Sequence, residues 1–261
     1  MIVVEWRAPR ILMAAVVGAS LAISGALFLN LTGNPLGSPD VIGFQTGSFT
    51  GALVVMLLLG GGSAATMLGA LAGGIFTALV VLALAAGGGA ARGVRLIIVG
   101  IAVSAVLSSF NTWIMLTAEV EDAIMAGLWG AGNLSGVDWA ATLTVLGGTS
   151  VFLVAAVLLA RPMKLLQIGI PFAAALGRHV RRVQMLAVVV GVGLIALATA
   201  TVGPISFIAL AAPQIARRLA RADGLALGTS AGVGALLLLS ADLIAQSIHP
   251  DIPTPRCPWD S

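Results

Sequence analysis

The side chains that could do chemistry are few and widely spaced. Asp242 is the one acid set well inside an apolar run. A carboxylate at membrane depth is costly, and it marks either a helix-pairing contact or a proton-coupled step. Ser24, Asn30, Gln45, Thr46, Ser48, Ser104, Ser108 and Asn111 are further polar points inside apolar runs. They suit either hydrogen bonds between helices or contact with a solute in transit. His179 and His249 stand apart from each other and from the single cysteine, Cys257. That leaves no metal-ligand spacing and no disulfide framework. The glycine runs at 60–62 and 87–89 lack the Lys of a phosphate-binding loop, which excludes ATP hydrolysis by that route. We expect no cofactor, no structural metal and no enzymatic activity in the chain itself.

The elements that must position these residues are membrane helices. Of 261 residues, 59% are hydrophobic and 9% are charged, whereas about a quarter of a soluble domain is charged. That balance excludes a soluble globular protein and a disordered chain. The net charge of +3 is spread over short Lys/Arg clusters between apolar runs, a loop pattern rather than a nucleic-acid footprint. The fold class is therefore all-α, a polytopic integral membrane protein. A crossing needs about 20 mainly apolar residues. Candidate spans run over 11–31, 41–59, 63–86, 96–117, 139–160, 185–202, 205–216 and 225–248.

The segment 205–216 is too short to cross alone. It follows Gly203-Pro204 and carries Pro213 near its end. Such half-helices survive in a membrane only where protein or a water-filled cavity covers them. The segment is thus either the lining of a transport path or a kinked structural helix. Asn34-Pro35, Gly37 and Pro39 read as a tight turn between two helices.

Three clusters hold most of the positive charge: Arg92 with Arg95; Arg161, Lys164, Arg178, Arg181 and Arg182; and Arg217, Arg218 and Arg221. Two spans separate each cluster from the next, so all lie on one side, which the positive-inside rule makes cytoplasmic. The loop 118–138 falls outside and carries Glu119, Glu121, Asp122 and Asp138 with no Lys or Arg. The same parity puts Arg7 and Arg10 outside, an arrangement that calls for one more helix upstream. Pro253, Pro255 and Pro258 make 251–261 an expected non-membrane tail, leaving 1–250 as one transmembrane domain.

Several segments in this order and spacing resemble a known family: 7–10, 18–25, 34–43, 99–102, Trp129-Gly130 with 136–139, 161–163, 174–177 and 203–213. The chain is similar to the permease subunit of ABC importers for iron–siderophore complexes, haem and cobalamin. The resemblance implies ten transmembrane helices, of which about eight are present here and the first and last are not. It implies a dimer of permeases, identical or related, seated on a separate ABC ATPase subunit and fed by a substrate-binding protein. It implies ATPase coupling within 161–183 through Gly169, Ala173, Ala174, Leu176, Gly177 and Arg178. By composition alone the same stretch reads as an ordinary positive-inside loop. It implies a translocation path at Gly203, Pro204, Phe207 and Pro213 with Asn34 and Pro35. It implies binding-protein docking through Arg7 and Arg10, for which interfacial snorkelling is the plainer reading of Arg10.

The expected function is translocation of a ferric siderophore or similar metal chelate across the cell's inner membrane by ATPase-driven alternating access. Two alternatives stand beside it. A secondary transporter would need more intramembrane carboxylates than Asp242, and an inactive truncated permease would follow from the missing helices.

Overall fold

The computed structural model describes residues 5, 7–85, 92–169, 172–173, 179–221 and 224–248. Among them, all regular structure is helical. The helices are α1 (Ala8–Thr32), α2 (Phe44–Leu53, continued by one π turn, Val54–Leu58), α3 (Ser63–Ala85), α4 (Arg92–Thr117) and α5 (Val120–Gly130). After them come α6 (Trp139–Ile168), α7 (Val180–Val202), α8 (Ile208–Leu219) and α9 (Leu227–Ile248). Each of the eight expected apolar segments has its helix. Six of them (α1, α3, α4, α6, α7 and α9) are long and apolar enough to cross a membrane unaided. α2 and α8 are short.

Local chemistry sets the ends. Pro9 lies in the first turn of α1, where a missing N–H removes no helical bond. Gly33 closes α1 at φ 62°, its N–H returning to the Leu29 carbonyl, a left-handed stop that costs a glycine little. Asp138 caps α6 by accepting the Ala141 N–H at 2.8 Å. α6 runs past the expected end at 160 and through Pro162. Polar residues end a hydrophobic run but need not end a helix, so hydropathy marked the membrane boundary rather than the helix boundary. The loop 118–138 also holds a helix that hydropathy did not show. Glu121 and Asp122 sit in the first turn of α5, where carboxylates favour the positive helix end.

Two helices form the centre. In α1 and α7, 72% of the apolar window is buried within the chain, against 17% in α4 and α6. α1 packs against α9, α7, α8 and α6, and α2 packs chiefly against α3. Close approach depends on small residues. A Cβ at Gly18 of α1 would overlap the Gly234 carbonyl of α9, and one at Gly25 would overlap the Ala209 carbonyl of α8.

The connections segregate as parity requires. Arg95 donates to the Leu84 carbonyl at the end of α3 at 3.1 Å. Gly93 abuts Thr32 at the end of α1, and Gly224 abuts Gln167 at the end of α6. These contacts draw the connections bearing the basic clusters to one end of the bundle. At the other end the Thr142 hydroxyl, early in α6, lies 3.4 Å from the Pro9 carbonyl.

Substituting Gly18→Val should push α9 off α1. We expect a loss of about 1–3 kcal/mol, the usual scale of overpacking, read as a lower thermal midpoint in detergent. Gly232→Val, where a Cβ meets open space, should change it little.

Candidate functional site

Two breaks in the helical backbone meet inside the bundle. The first spans residues 33–43. Asn34 turns the chain by accepting the Leu36 N–H on Oδ1 at 2.9 Å, and Gly43 starts α2 at φ 89°. This is not a turn at the membrane surface. Thr32 lies level with Gly93 at the start of α4, and Gly43 lies level with Gly100 and Ser104. At about 1.5 Å of rise per helical residue, the chain has re-entered by roughly 10–16 Å, a third to a half of the hydrocarbon thickness. The expected turn between two helices is present, and it is re-entrant. α2 is short because its lower half is replaced by this irregular stretch.

The second break is 203–207. Gly203 leaves α7 at φ 77°, and Phe207 holds a left-handed φ of 71° just before α8. A bulky residue in that region is strained unless its surroundings hold it. The Asn133 N–H donates to the Val202 carbonyl at 2.7 Å, and Gly132 packs against the Pro204 carbonyl. The α5–α6 loop thus braces this break from the far side.

The breaks hold each other. Gln45 Nε2 donates to the Ile205 carbonyl at 2.8 Å, and Gln214 Nε2 donates to the Pro35 carbonyl at 3.0 Å. Each turn thereby supplies an acceptor that the other's helix satisfies. Asp40 is the third member. The Phe207 N–H faces its carboxylate without closing a full hydrogen bond, and both carboxylate oxygens are shut off from solvent and unpartnered.

Between these turns and α4 lies a cavity of about 310 Å³. Asp40, Gln45 and Thr46 line it from the first break, and Ser108, Asn111 and Thr112 line it from α4. Pro204 and Ser206 come from the second break, with Phe49 and Met115 as the apolar part. Thr46 Oγ1 pairs with Ser104 Oγ at 3.0 Å. Phe49 stacks on Trp129 of α5 with ring centres 6.0 Å apart. Asn111 is 5% exposed and its Oδ1 has no partner. In chemical terms this is a polar chamber with no catalytic pairing. It can bind or pass a solute but offers no nucleophile activated by a base.

The structure brings together some of the residues singled out by sequence and separates others. Pro204 lines the chamber and Phe207 borders it. Asn34 and Pro35 sit at the far end of the re-entrant turn, against Gln214. Pro213 is buried within α8. Of the polar points, Gln45, Thr46, Ser108 and Asn111 reach the chamber. Ser24 donates to the Gly191 carbonyl at 2.7 Å and Asn30 to the Ala26 carbonyl at 2.8 Å, so these two serve packing.

Arg10 is committed to Asp242, with Nη2 2.6 Å from Oδ1 and Nε 3.0 Å from Oδ2. Gln246 donates to the same carboxylate at 2.7 Å. Asp242 therefore pairs α9 with α1, and Arg7 is exposed beside the pair. Gly169 ends α6. The Ala173 N–H returns to the Gly169 carbonyl at 3.0 Å, with Ala173 fully buried. Ala174, Leu176, Gly177 and Arg178 lie outside the described residues, as do Cys257 and the tail 251–261.

Sequence reasoning missed Asp40, Thr112 and Ser206. Asp40 follows a proline in a Gly/Pro-rich stretch, so it looked like an ordinary turn residue. The run after it, 41–59, is long enough to cross, so its length gave no sign that the turn dips into the membrane.

A family model described as the FecCD transport family matches residues 1–255. The chain belongs to the FecCD transport family. It is 51% identical over 248 residues to the ferric enterobactin transport system permease protein FepG of Escherichia coli K12, covering 95% of this chain and 75% of that one. It is 33% identical to the Fe(3+) dicitrate transport system permease protein FecD of the same organism, covering 97% and 79%. A solved inward-facing structure described as a metal-chelate-type ABC transporter superposes with a TM-score of 0.86 at 25% identity, covering 95% of this chain and 79% of that one. The PsaBC structure from Streptococcus pneumoniae shares the fold alone, with a TM-score of 0.62 at 16% identity, covering 93% and 82%. This FecCD-family chain is thus a polytopic, all-α membrane protein.

Two measurements test the geometry. Gln45→Ala strands the Ile205 carbonyl and should cost about 1–3 kcal/mol. With Gln214→Ala added, the loss should fall short of the sum, because both side chains clamp the same pair of turns. Thermal unfolding of the four proteins in detergent reads both outcomes. Asp242→Ala should cost about 1 kcal/mol, since Arg10 is partly exposed. That loss should shrink in high salt and vanish in an Arg10→Ala background.

Proposed function

We propose that this chain is the membrane permease of an ABC importer that carries a ferric siderophore or a similar iron chelate across the cytoplasmic membrane. The observation that carries the reading is the pair of interlocked helix breaks bordering a polar chamber at mid-depth. Irregular backbone at that depth is tolerated where it lines a solute path. The named relatives carry iron chelates, and a bulky chelate needs a path with few charges to arrest it.

In this reading the chain itself supplies no chemical energy. A separate ATPase docks on the basic end of the bundle, where α6 ends at Gly169 and the segment with Ala173, Ala174, Leu176, Gly177 and Arg178 follows. Closure of the ATPase pushes that segment. The push travels along α7 to Gly203, and α8 shifts with the turn at Pro35 through Gln214. Opening then alternates between the two ends of the path. Arg7, exposed at the acidic end, is the cation offered to a delivering binding protein, whereas Arg10 serves mainly to hold α9. A second permease copy completes the path across the lipid-facing surfaces.

The test is uptake of radiolabelled ferric siderophore into proteoliposomes holding this chain with its ATPase and binding protein. Accumulation should require ATP and the binding protein together. Uptake driven by an ion gradient without ATP would replace this reading with a secondary transporter. Arg178→Cys should label from the ATPase side only; labelling from the opposite side would remove the coupling role.

A further inference from the structure

The chamber holds a carboxyl group that no neighbouring side chain pairs. Asp40 is the one ionisable side chain among the residues lining it. Both of its oxygens are buried without a hydrogen-bond partner. A carboxyl group removed from water keeps its charge only if it is paired or bound to a cation, and otherwise takes up a proton. The Phe207 N–H faces it, but a misaligned amide supplies a partial charge at most. A second buried group in the same chamber is also unsatisfied, and it too is an acceptor, Asn111 Oδ1. The Gln45 Nε2 of the same chamber is engaged with the Ile205 carbonyl.

The remaining wall is made of neutral oxygens. Ser108, Asn111 and Thr112 fall at i, i+3 and i+4 on α4, which puts them on one helix face opposite Asp40. The Thr112 hydroxyl gives its proton to the Ser108 carbonyl at 3.0 Å, so its lone pairs are free to point into the chamber. The set is therefore one carboxylate, one amide oxygen and hydroxyl oxygens, lining a partly open chamber beside two discontinuous helices. One negative charge matches one positive charge. Divalent ions usually recruit several carboxylates or a phosphate, and neither is here. A proton would satisfy one oxygen, whereas a metal ion engages several around a cavity at once.

We propose that the chamber binds one monovalent alkali cation, sodium in the first instance, through the Asp40 carboxylate and Asn111 Oδ1, with the Ser108 and Thr112 hydroxyls completing the shell. The bound ion satisfies both orphaned acceptors and fixes the re-entrant turn against α4. It also has a consequence that rests on the transport reading above. An anionic chelate passing a bare carboxylate would be repelled, and the ion removes that repulsion without placing a fixed positive side chain that would hold the cargo.

The test reads binding alone, so its failure and the failure of the transport reading are distinguishable. The full chain in lipid nanodiscs is equilibrated with ²²Na⁺, with N-methylglucamine chloride holding ionic strength constant. We expect one saturable class of sites, displaced by unlabelled sodium. Asp40→Asn should abolish it. Asn111→Ala should weaken it about tenfold, the effect of losing one good ligand to a charged group. Asp242→Asn, far from the chamber, should leave it intact. Should Asp40→Asn fail to fold, the Asn111→Ala comparison decides. Absence of saturable binding to the unsubstituted chain would overturn the proposal, as would equal binding by the Asp40→Asn or Asn111→Ala chains. So would a thermal midpoint that follows pH identically in sodium and N-methylglucamine, because the occupant would then be a proton.

Discussion

In hydrocarbon a backbone amide or carbonyl has no water to turn to, and leaving one unpaired costs several kcal/mol. Regular helices meet this demand internally, but the stretches 33–43 and 203–207 meet it only in part. The bundle solves the problem by bringing its two irregular stretches together and letting side chains of each close the other. Gln45 serves the Ile205 carbonyl and Gln214 serves the Pro35 carbonyl. Much of the architecture follows from this requirement. α2 must begin at mid-depth, α8 must stop short of a full crossing, and α1 must carry glycine where α8 leans on it.

Because the clamp is reciprocal, the two turns behave as one mechanical element. A force on α8 reaches the first break at Pro35, and a force on α2 reaches the second at Ile205. α9 packs along both α1 and α8 and is pinned to α1 at its end by the Arg10–Asp242 pair, so a shift of α8 is felt by α9 as well.

The sequence was informative where one property sufficed. Long apolar runs located the crossing helices, and the alternation of basic and acidic loops assigned their ends. The short run between Gly203 and Pro213 revealed a half-helix because length and helix breakers agreed. It was less informative where depth or pairing mattered. Proline and glycine look the same in a turn at the lipid surface and in one buried halfway down, so the turn at 33–43 was legible but its depth, and the place of Asp40 in it, were not. The Arg10–Asp242 pair joins residues 232 apart, and each had its own plausible local reading. α6 was cut short because polarity, not helix propensity, changed at Arg161.

The burial pattern also bears on how the protein is made. α1 and α7 face mostly protein, whereas α3, α4, α6 and α9 face mostly outward. α1 carries Ser20, Ser24 and a glycine seam on surfaces that its later neighbours cover. During synthesis α1 leaves the ribosome well before α9, so for most of translation its notched, polar-dotted flank has no mate. Lipid is a poor substitute for the missing Gly234 backbone. The nascent helix must therefore be sheltered, by the insertion machinery or by early neighbours, until α9 arrives to seal it. A ribosome pause between α8 and α9 would lengthen that interval, giving codon choice in this short stretch leverage over the yield of folded protein.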